Sequence, residues 1–346
     1  MRDLIDHAKA GGNLSEEQVE AAVECLLSTA VEEAAKGAFL EALRTKGETA
    51  GEIAAFVRSM LRRSIDPEIR ENQLSGPLLD VCGTGGDRMN LFNVSTTAMF
   101  VVAAGGAVVV KHGNRGITSR CGGADVLEEL GVRIDLPPAA LRENIEKTGI
   151  GFLFAPNYHP SFKMIAPVRK ALAARGVTTI FNLLGPLLNP ARPPHQLVGV
   201  FSRSLLPAFA EAMALLRRKH AWIVHGSAGS WDLGIDEVST MGPTDVAKVE
   251  NGNAEYFSIS PGQFGFQIVP PDALRGGGRE ENARILTGVL DGTIRGAMRE
   301  VVVFNAAAGF VAANLARDLG EGIGMALEQL DSGGALAKLR LLQDPN

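Results

Sequence analysis

The sequence predicts an α/β protein with a small N-terminal helical domain and a larger α/β domain, whose mainly parallel central sheet is flanked by helices. Three observations lead to this prediction. No strand pattern precedes Pro77, and amphipathic helices open that part of the chain. From Pro77 onward, short apolar runs alternate with helical stretches, as in sheets of parallel strands joined by helices. A glycine loop follows the first apolar run, as in a phosphate-binding βαβ unit.

Residues 1–74 are predicted to form the helical domain. Ser15 with Gln18, and Thr49 with Glu52, are spaced as capping boxes, and each pair is followed by apolar residues at helical spacing. Short helices with one apolar stripe cannot bury it alone. They therefore cover the main domain or form a dimer face and a wall of the site, and the sequence leaves both interpretations open.

Residues 75–346 are predicted to form the α/β domain. Strands are expected at residues 77–82, 107–110, 132–134, 150–154, 196–200 and 221–224. Helices are expected at residues 93–104, 139–147, 205–216, 281–290 and 301–319.

Composition and charge exclude several classes of protein. The 346-residue chain has a net charge of −5, which argues against a general nucleic-acid or membrane surface. No apolar run is long enough to span a bilayer, and the polar first 15 residues lack the core of a signal peptide. Three cysteines without metal-ligand spacing indicate a reduced thiol state. We therefore expect a cytoplasmic protein that meets anionic substrates with local basic groups.

The loop Gly83-Thr84-Gly85-Gly86-Asp87 follows the first predicted strand and precedes a helix that starts near Asn93. Three glycines allow successive N–H groups to converge on an anion, and a helix start adds unpaired donors. Taken alone, the loop favours a simpler interpretation, a tight turn before the helix. Lys111, Asn114 and Arg115 follow the next strand and are expected at the same sheet edge. This second polar loop favours phosphate binding.

Several long motifs, in this order and spacing, resemble those of anthranilate phosphoribosyltransferases, the tryptophan-biosynthesis enzymes that join anthranilate to phosphoribosyl pyrophosphate. The resemblance covers nearly the whole chain. Its main motifs are Gly83–Asp87, Asn93–Thr96, Lys111–Arg115, Gly123–Glu128, Phe154–Pro156, His159–Pro160, Val168–Lys170, Ile180–Pro186, Asp236–Glu237, Glu280–Ala283 and Phe304–Ala307.

The resemblance implies a set of substrate and metal residues, with Mg²⁺ as the metal. It implies a homodimer formed through the helical domain, and a helical segment near residues 165–190 that packs back on that domain. Asn114 would contact both substrates. For phosphoribosyl pyrophosphate the residues are Gly83, Gly86, Asp87, Asn93, Val94, Ser95, Thr96, Lys111, His112, Gly113, Asn114, Arg115, Thr118 and Ser119; for anthranilate they are Gly83, His112, Asn114 and Arg169; for the metal they are Ser95, Asp236 and Glu237.

Each of these residue types also has a plainer interpretation. Adjacent carboxylates such as Asp236 and Glu237 are usually solvated, but opposite a phosphate loop they suit Mg²⁺, which prefers hard oxygen ligands. Arg169 is either a surface arginine or a fork for the carboxylate of anthranilate. His112 is either structural or close to the acceptor's amine, and the sequence favours neither. No acid–base residue or nucleophile is assigned, because the reaction needs mainly positioning and charge neutralisation.

Three residues and the length of one loop depart from the family pattern. Gly123 replaces a usual serine, Leu91 a usual threonine and Thr178 a frequent arginine. The stretch 226–236, which we expect to be a loop, is several residues longer than the family's usual turn, and its length bears on the placement of the acidic pair.

Three other functions compete with this hypothesis: a phosphoribosyltransferase with another aromatic acceptor, a pyrimidine-nucleoside phosphorylase and a non-enzymatic relative that binds nucleic acid. A phosphorylase would need a different lysine-histidine-serine loop, which is absent from the sequence. Nucleic-acid binding would require a broad basic groove, which the net charge of −5 disfavours.

Overall fold

A computed structural model describes residues 1–87, 89–116, 120–230 and 233–343. Within these ranges the chain forms fifteen α-helices and eight strands. The helices are α1 (Arg2–Lys9), α2 (Glu16–Leu27), α3 (Glu33–Lys46), α4 (Ala50–Arg62), α5 (Val94–Ala104), α6 (Gly123–Glu129), α7 (Pro138–Thr148), α8 (Ala155–Tyr158), α9 (Ala166–Ala174), α10 (Phe181–Leu184), α11 (Leu206–Leu215), α12 (Arg279–Leu290), α13 (Ala297–Ala312), α14 (Leu319–Asp331) and α15 (Gly334–Gln343). The strands are β1 (Leu78–Gly83), β2 (Val108–Gly113), β3 (Ile150–Phe154), β4 (His195–Gly199), β5 (His220–Ser230), β6 (Leu233–Ile235), β7 (Thr244–Glu250) and β8 (Asn253–Ile259).

All eight strands belong to one sheet with the order β3-β2-β1-β4-β5-β7-β8, and β6 pairs with β5. The pairs β1–β2, β2–β3, β1–β4 and β4–β5 are parallel, whereas β6, β7 and β8 add antiparallel pairs. The predicted fold class is therefore confirmed. The chain runs outward from β1 to β3 and then returns to β4 on the other side of β1. Such a reversal opens a crevice at the carboxyl ends of the strands, where ligands bind.

The sheet is covered on both faces, as expected for parallel strands. On one face, Leu79 and Val81 of β1 share a hydrophobic cluster with α5 and α13. On the other face, Val198 and Ile223 share a cluster with α2, α3, α4, α9 and α11. The N-terminal helices and the helices after β3 thus share one core with the sheet.

The helical part follows the sequence closely. Both predicted capping boxes form, with Ser15 and Gln18 at the start of α2 and Thr49 and Glu52 at the start of α4. Val168 and Leu172 of α9 are buried in the same cluster as α3, so the segment after β3 returns to these helices. The boundary between residues 74 and 75 stays a prediction.

Three local predictions are wrong. Residues 132–134 form no strand. Val132 and Ile134 are buried beneath helices, and their alternation with an exposed residue resembles the pattern of a strand although no partner strand pairs with them. The helix expected at residues 301–319 ends at Ala312, and Asp318 caps a new one by accepting from the Glu321 N–H. The expected loop 226–236 contains a hairpin, since Gly226 pairs with Ile235. The antiparallel strands β7 and β8 were not predicted, because the amphipathic pattern of β8 is weak at an exposed edge.

No helix within the described ranges has the length and apolar character needed to cross a bilayer.

Glu52 is expected to stabilise the helical part far more than Ser15 does. The Glu52 carboxylate accepts from the N–H groups of Leu14 and Thr49 and pairs with Lys46 at 2.8 Å, with both side chains buried. Because Glu52→Ala leaves a buried lysine unpaired, it should lower the free energy of unfolding by about 3–5 kcal/mol. Ser15→Ala loses one exposed cap and should cost about 1 kcal/mol. Chemical denaturation measures both, and equal losses would contradict this assignment.

Candidate active site

A cavity of about 330 Å³ opens where β1 and β2 end, at the reversal of the chain. Four segments line it: the glycine loop after β1, the start of α5, the loop after β2 and the Asp236–Glu237 pair. Most of the predicted donor and metal residues therefore meet in one place. The predicted residues in the lining are Gly83, Gly86, Asp87, Asn93, Ser95, Thr96, Lys111, His112, Gly113, Asn114, Arg115, Asp236 and Glu237.

Of the predicted residues that the structure describes, Val94 and Arg169 are not in this lining. Val94 is buried behind it in the first turn of α5. Arg169 lies on α9, where its guanidinium faces the Phe181 ring. Thr118 and Ser119 lie outside the described residues.

The glycine loop brings a main-chain donor against an acidic side chain. Gly85 and Gly86 have φ values of +67° and +90°, which side chains with a Cβ rarely adopt. In this conformation the Gly85 N–H donates to Asp236 Oδ2 at 2.7 Å. A Cβ at Gly83 would overlap the same carboxylate. The loop therefore admits and holds Asp236, a role that its glycine pattern alone did not predict.

Asp236, Glu237 and Asp87 form an acidic group beside the start of α5. The Ser95 N–H donates to Glu237 Oε1 at 3.1 Å. Burial and the neighbouring Asp236 charge raise the pKa of Glu237 to about 8, and the same two causes raise the pKa of Asp87 to about 7. Negative charge is therefore crowded here, and a cation would relieve that repulsion.

The oxygen atoms of this acidic group are suitable ligands for Mg²⁺. Carboxylate and hydroxyl oxygens are the ligands that Mg²⁺ prefers. Within the described ranges, no three histidine, cysteine, aspartate or glutamate side chains form a ready-made metal site. Mg²⁺ usually keeps waters and substrate phosphate oxygens in its shell, so two protein carboxylates suffice for such a site.

Lys111 lies under the cavity and is only 5% exposed. Its Nζ donates to the Val81 carbonyl and to Ser95 Oγ, the latter at 3.2 Å. Beside it, burial raises the pKa of Asp80 on β1. Lys111 therefore brings a positive charge close to Ser95 and the acidic group, anchored more deeply than a lysine that projects from a loop.

The loop after β2 is held by an acidic residue that sequence reasoning did not assign to the site. Asp125 Oδ2 accepts from the N–H groups of Gly116 and Gly122, both at 2.8 Å, and so fastens the two ends of this loop. Arg115 forms an ion pair with Glu128 and lies 3.7 Å from Asp125. The signal for this role is the aspartate at the third position of α6, which is a capping-box position.

Asn93, just before α5, is bound by a second residue that was not assigned to the site. Asn282 Nδ2 donates to Asn93 Oδ1 at 2.9 Å, and Asn93 Nδ2 donates to the Cys121 carbonyl at 3.2 Å. The Gly277 N–H donates to Asn282 Oδ1 at 2.8 Å. The start of α12 thus fixes the start of α5 and the end of the loop after β2.

A row of aromatic rings connects His112 with Arg169. The His112 ring lies 5.2 Å from that of His159, which stacks on Phe162 at 5.0 Å. Phe162 contacts Phe181 edge-on at 5.7 Å, and the Arg169 guanidinium lies 5.1 Å from the Phe181 centroid. An apolar wall with a cation at one end suits a flat aromatic acid.

The two polar ends of this row, His112 and Arg169, both have open bonding capacity. Burial lowers the pKa of Arg169, and no carboxylate in the described part of the chain pairs with it. His112 Nδ1 lies 3.3 Å from the Gly185 carbonyl, so this nitrogen carries the hydrogen and Nε2 has a free lone pair. Nε2 is buried and has no hydrogen-bond partner among the described residues. Burial, together with His159, lowers the pKa of His112 to about 3, so the ring stays neutral.

The departures from the family pattern leave these charged groups in place. A Cβ at Gly123 would lie 3.2 Å from Thr96 Oγ1, so Thr96 supplies a hydroxyl beside that position. Leu91 pairs with Arg275 in an isolated bridge. Thr178 precedes Thr179, whose N–H donates to Asn182 Oδ1 at 2.8 Å. In the long 226–236 stretch, β6 pairs antiparallel with β5, and Ile235 at the end of β6 leads directly into the acidic pair.

Two family models match this chain. The helical bundle domain of the glycosyl transferase family matches residues 2–64, and the a/b domain of that family matches residues 75–336. An anthranilate phosphoribosyltransferase of Roseiflexus castenholzii is 44% identical over 99% of this chain and 97% of its own length.

Solved structures agree. The Thermus thermophilus anthranilate phosphoribosyltransferase has a TM-score of 0.88 and 39% identity, covering 99% of this chain and 100% of its own. The Saccharomyces cerevisiae enzyme in complex with PRPP and Mg has a TM-score of 0.84 and 29% identity, covering 99% and 98%. The resemblance in the sequence motifs is thereby confirmed, and this chain belongs to the anthranilate phosphoribosyltransferases of this glycosyl transferase family.

Proposed function

We propose that this protein transfers the phosphoribosyl group of phosphoribosyl pyrophosphate to anthranilate and releases pyrophosphate. One observation carries the proposal: the crowded acidic pair, the glycine loop and the start of α5 meet in one cavity at the chain reversal. The family to which the chain belongs has the same activity in its name.

Asp236 and Glu237, with Ser95 beside them, would hold Mg²⁺. When bound, the ion neutralises charge on the pyrophosphate as it leaves. The support is the crowding of carboxylates described above, together with the Saccharomyces cerevisiae relative that binds PRPP and Mg. The glycine loop, the first turn of α5 and the loop after β2 would bind the phosphates of phosphoribosyl pyrophosphate. Lys111 would supply a buried positive charge behind them.

The acceptor would lie along the aromatic row. Arg169 would bind its carboxylate, and the neutral His112 would face its amine with a free lone pair. The amine nitrogen attacks C1 of the ribose while the bond from C1 to pyrophosphate oxygen breaks with its electron pair. The amine nitrogen then gives its proton to water, which restores the neutral amine. This chemistry rests on positioning and charge neutralisation and needs no covalent enzyme intermediate.

The direct test is a reaction with phosphoribosyl pyrophosphate, Mg²⁺ and anthranilate, followed by the loss of anthranilate fluorescence. We expect turnover that depends on all three. Turnover with phosphate and a pyrimidine nucleoside instead would favour the phosphorylase alternative. Homodimerisation and cytoplasmic location stay predictions from the sequence.

Asp236 and Glu237 are expected to be essential for turnover but not for folding. The double variant Asp236→Asn/Glu237→Gln keeps the shape of both side chains and removes the charge that would bind Mg²⁺. We expect the rate to fall at least about a hundredfold, because a metal supplies several kcal/mol of charge stabilisation. Thermal unfolding should show no loss of stability, since the variant relieves repulsion. A parental response to Mg²⁺ would exclude these residues as ligands.

Arg169 is expected to affect anthranilate and not the donor. Arg169→Ala should raise the KM for anthranilate about tenfold or more, because a charge-assisted bond contributes roughly 1.5–3 kcal/mol. Lys170→Ala, an exposed neighbour on the same helix, is the matched control and should change neither KM. Aniline lacks the carboxylate, so the mutation should affect it far less. Equal losses with anthranilate and aniline would assign Arg169 another role.

A further inference from the structure

The segment from Asp236 to Val238 lies in a narrow slot between strand ends. A Cβ at Gly199, the last residue of β4, would overlap the Asp236 carbonyl. A Cβ at Gly226 would lie 2.5 Å from the Glu237 carbonyl oxygen. Real Cβ atoms do not approach main-chain oxygens so closely, so both walls must be glycine. These walls limit movement towards the sheet, but they exert no attraction that holds the segment in place.

Asn305 of α13 supplies that attraction. Its Oδ1 accepts from the Val238 N–H at 2.9 Å, and its Nδ2 donates to the Val238 carbonyl at 2.8 Å. The second Nδ2 hydrogen is directed to the Val301 carbonyl at 2.9 Å. The amide therefore binds both main-chain groups of Val238, which directly follows the acidic pair.

The sequence context sets Asn305 apart from its helix. The other residues of α13 between Val301 and Ala312 are apolar or glycine, and Asn305 is only 1% exposed. A buried amide is costly unless its hydrogen bonds are made, and here two of the three are made to main chain outside the helix. Asn305 thereby attaches the residue that directly follows Asp236 and Glu237 to α13.

We propose that Asn305 is a positioning residue that fixes Asp236 and Glu237 against the Gly85 and Ser95 N–H groups. What the pair does in the reaction rests on the proposed function. The attachment itself is a property of the unliganded chain. It can therefore be tested without substrate or metal.

The first experiment is amide hydrogen exchange by NMR on the unliganded protein. In Asn305→Ala, the Gly85 and Ser95 amides should exchange about tenfold faster, the change expected when a hydrogen bond worth about 1.4 kcal/mol is lost. Val303→Ala, a buried truncation on the same helix, is the matched control and should leave both amides as in the parent. Unchanged exchange at both amides in folded Asn305→Ala would overturn the proposal.

Asn305→Ser serves where the alanine variant folds poorly, because its hydroxyl can still bind water in the vacated space. The same exchange pattern is expected. Thermal unfolding of each variant establishes that the measurements are made on folded protein.

The second experiment is kinetic. At saturating phosphoribosyl pyrophosphate, the Mg²⁺ concentration for half-maximal rate should rise about tenfold in Asn305→Ala or Asn305→Ser, with the KM for anthranilate unchanged. An unchanged Mg²⁺ requirement, or an equal rise in Val303→Ala, would overturn the positioning role. If the parent fails to convert anthranilate at all, the proposed function fails, and the exchange experiment still decides the role of Asn305.

Discussion

The site depends on the close approach of other groups to the ends of three neighbouring parallel strands. β1, β2 and β4 finish at Gly83, Gly113 and Gly199, and a Cβ at any of them would collide with a neighbouring group. At Gly113 that group is the Phe152 ring, 2.7 Å away, and at the other two it is Asp236. The main chain and the carboxylate of Asp236 can therefore lie directly against the ends of β1 and β4. Every other feature of the cavity is arranged around this close approach.

Close approach creates an electrostatic problem that the surrounding residues partly solve. The pKa of Glu237 is raised to about 8 and that of Asp87 to about 7. These shifts reflect the free-energy cost of placing both negative charges in the unliganded site. Lys111 and the N–H groups of Gly85 and Ser95 offset part of it. Proton uptake relieves the remaining repulsion in the free protein, as the raised pKa values indicate. A bound cation would relieve the same repulsion.

Sequence reasoning succeeded where a signal is local and failed where it is not. Capping boxes and glycine loops involve neighbours within a few residues, so Ser15, Thr49 and the loop at Gly83 were predictable. Asn282 and Asn305 act across 189 and 67 residues of chain, on Asn93 and Val238. No spacing rule connects such partners. The false strand at residues 132–134 failed for a related reason, because burial alternation is common to strands and to segments packed beneath helices.

The sides of the cavity that we propose for the donor and the acceptor are built from different parts of the chain. The donor side consists of strand ends and α5, whose core contains α13. Phe181 and the aliphatic residues of α9 around Arg169 are buried in the cluster that the N-terminal helices share. The packing of the N-terminal helices therefore bears directly on the proposed acceptor wall, whereas the phosphate side packs mainly on α13. His112 lines the cavity and also contacts Gly185 and the aromatic row. We therefore expect the proposed contacts with the two substrates to meet at this residue.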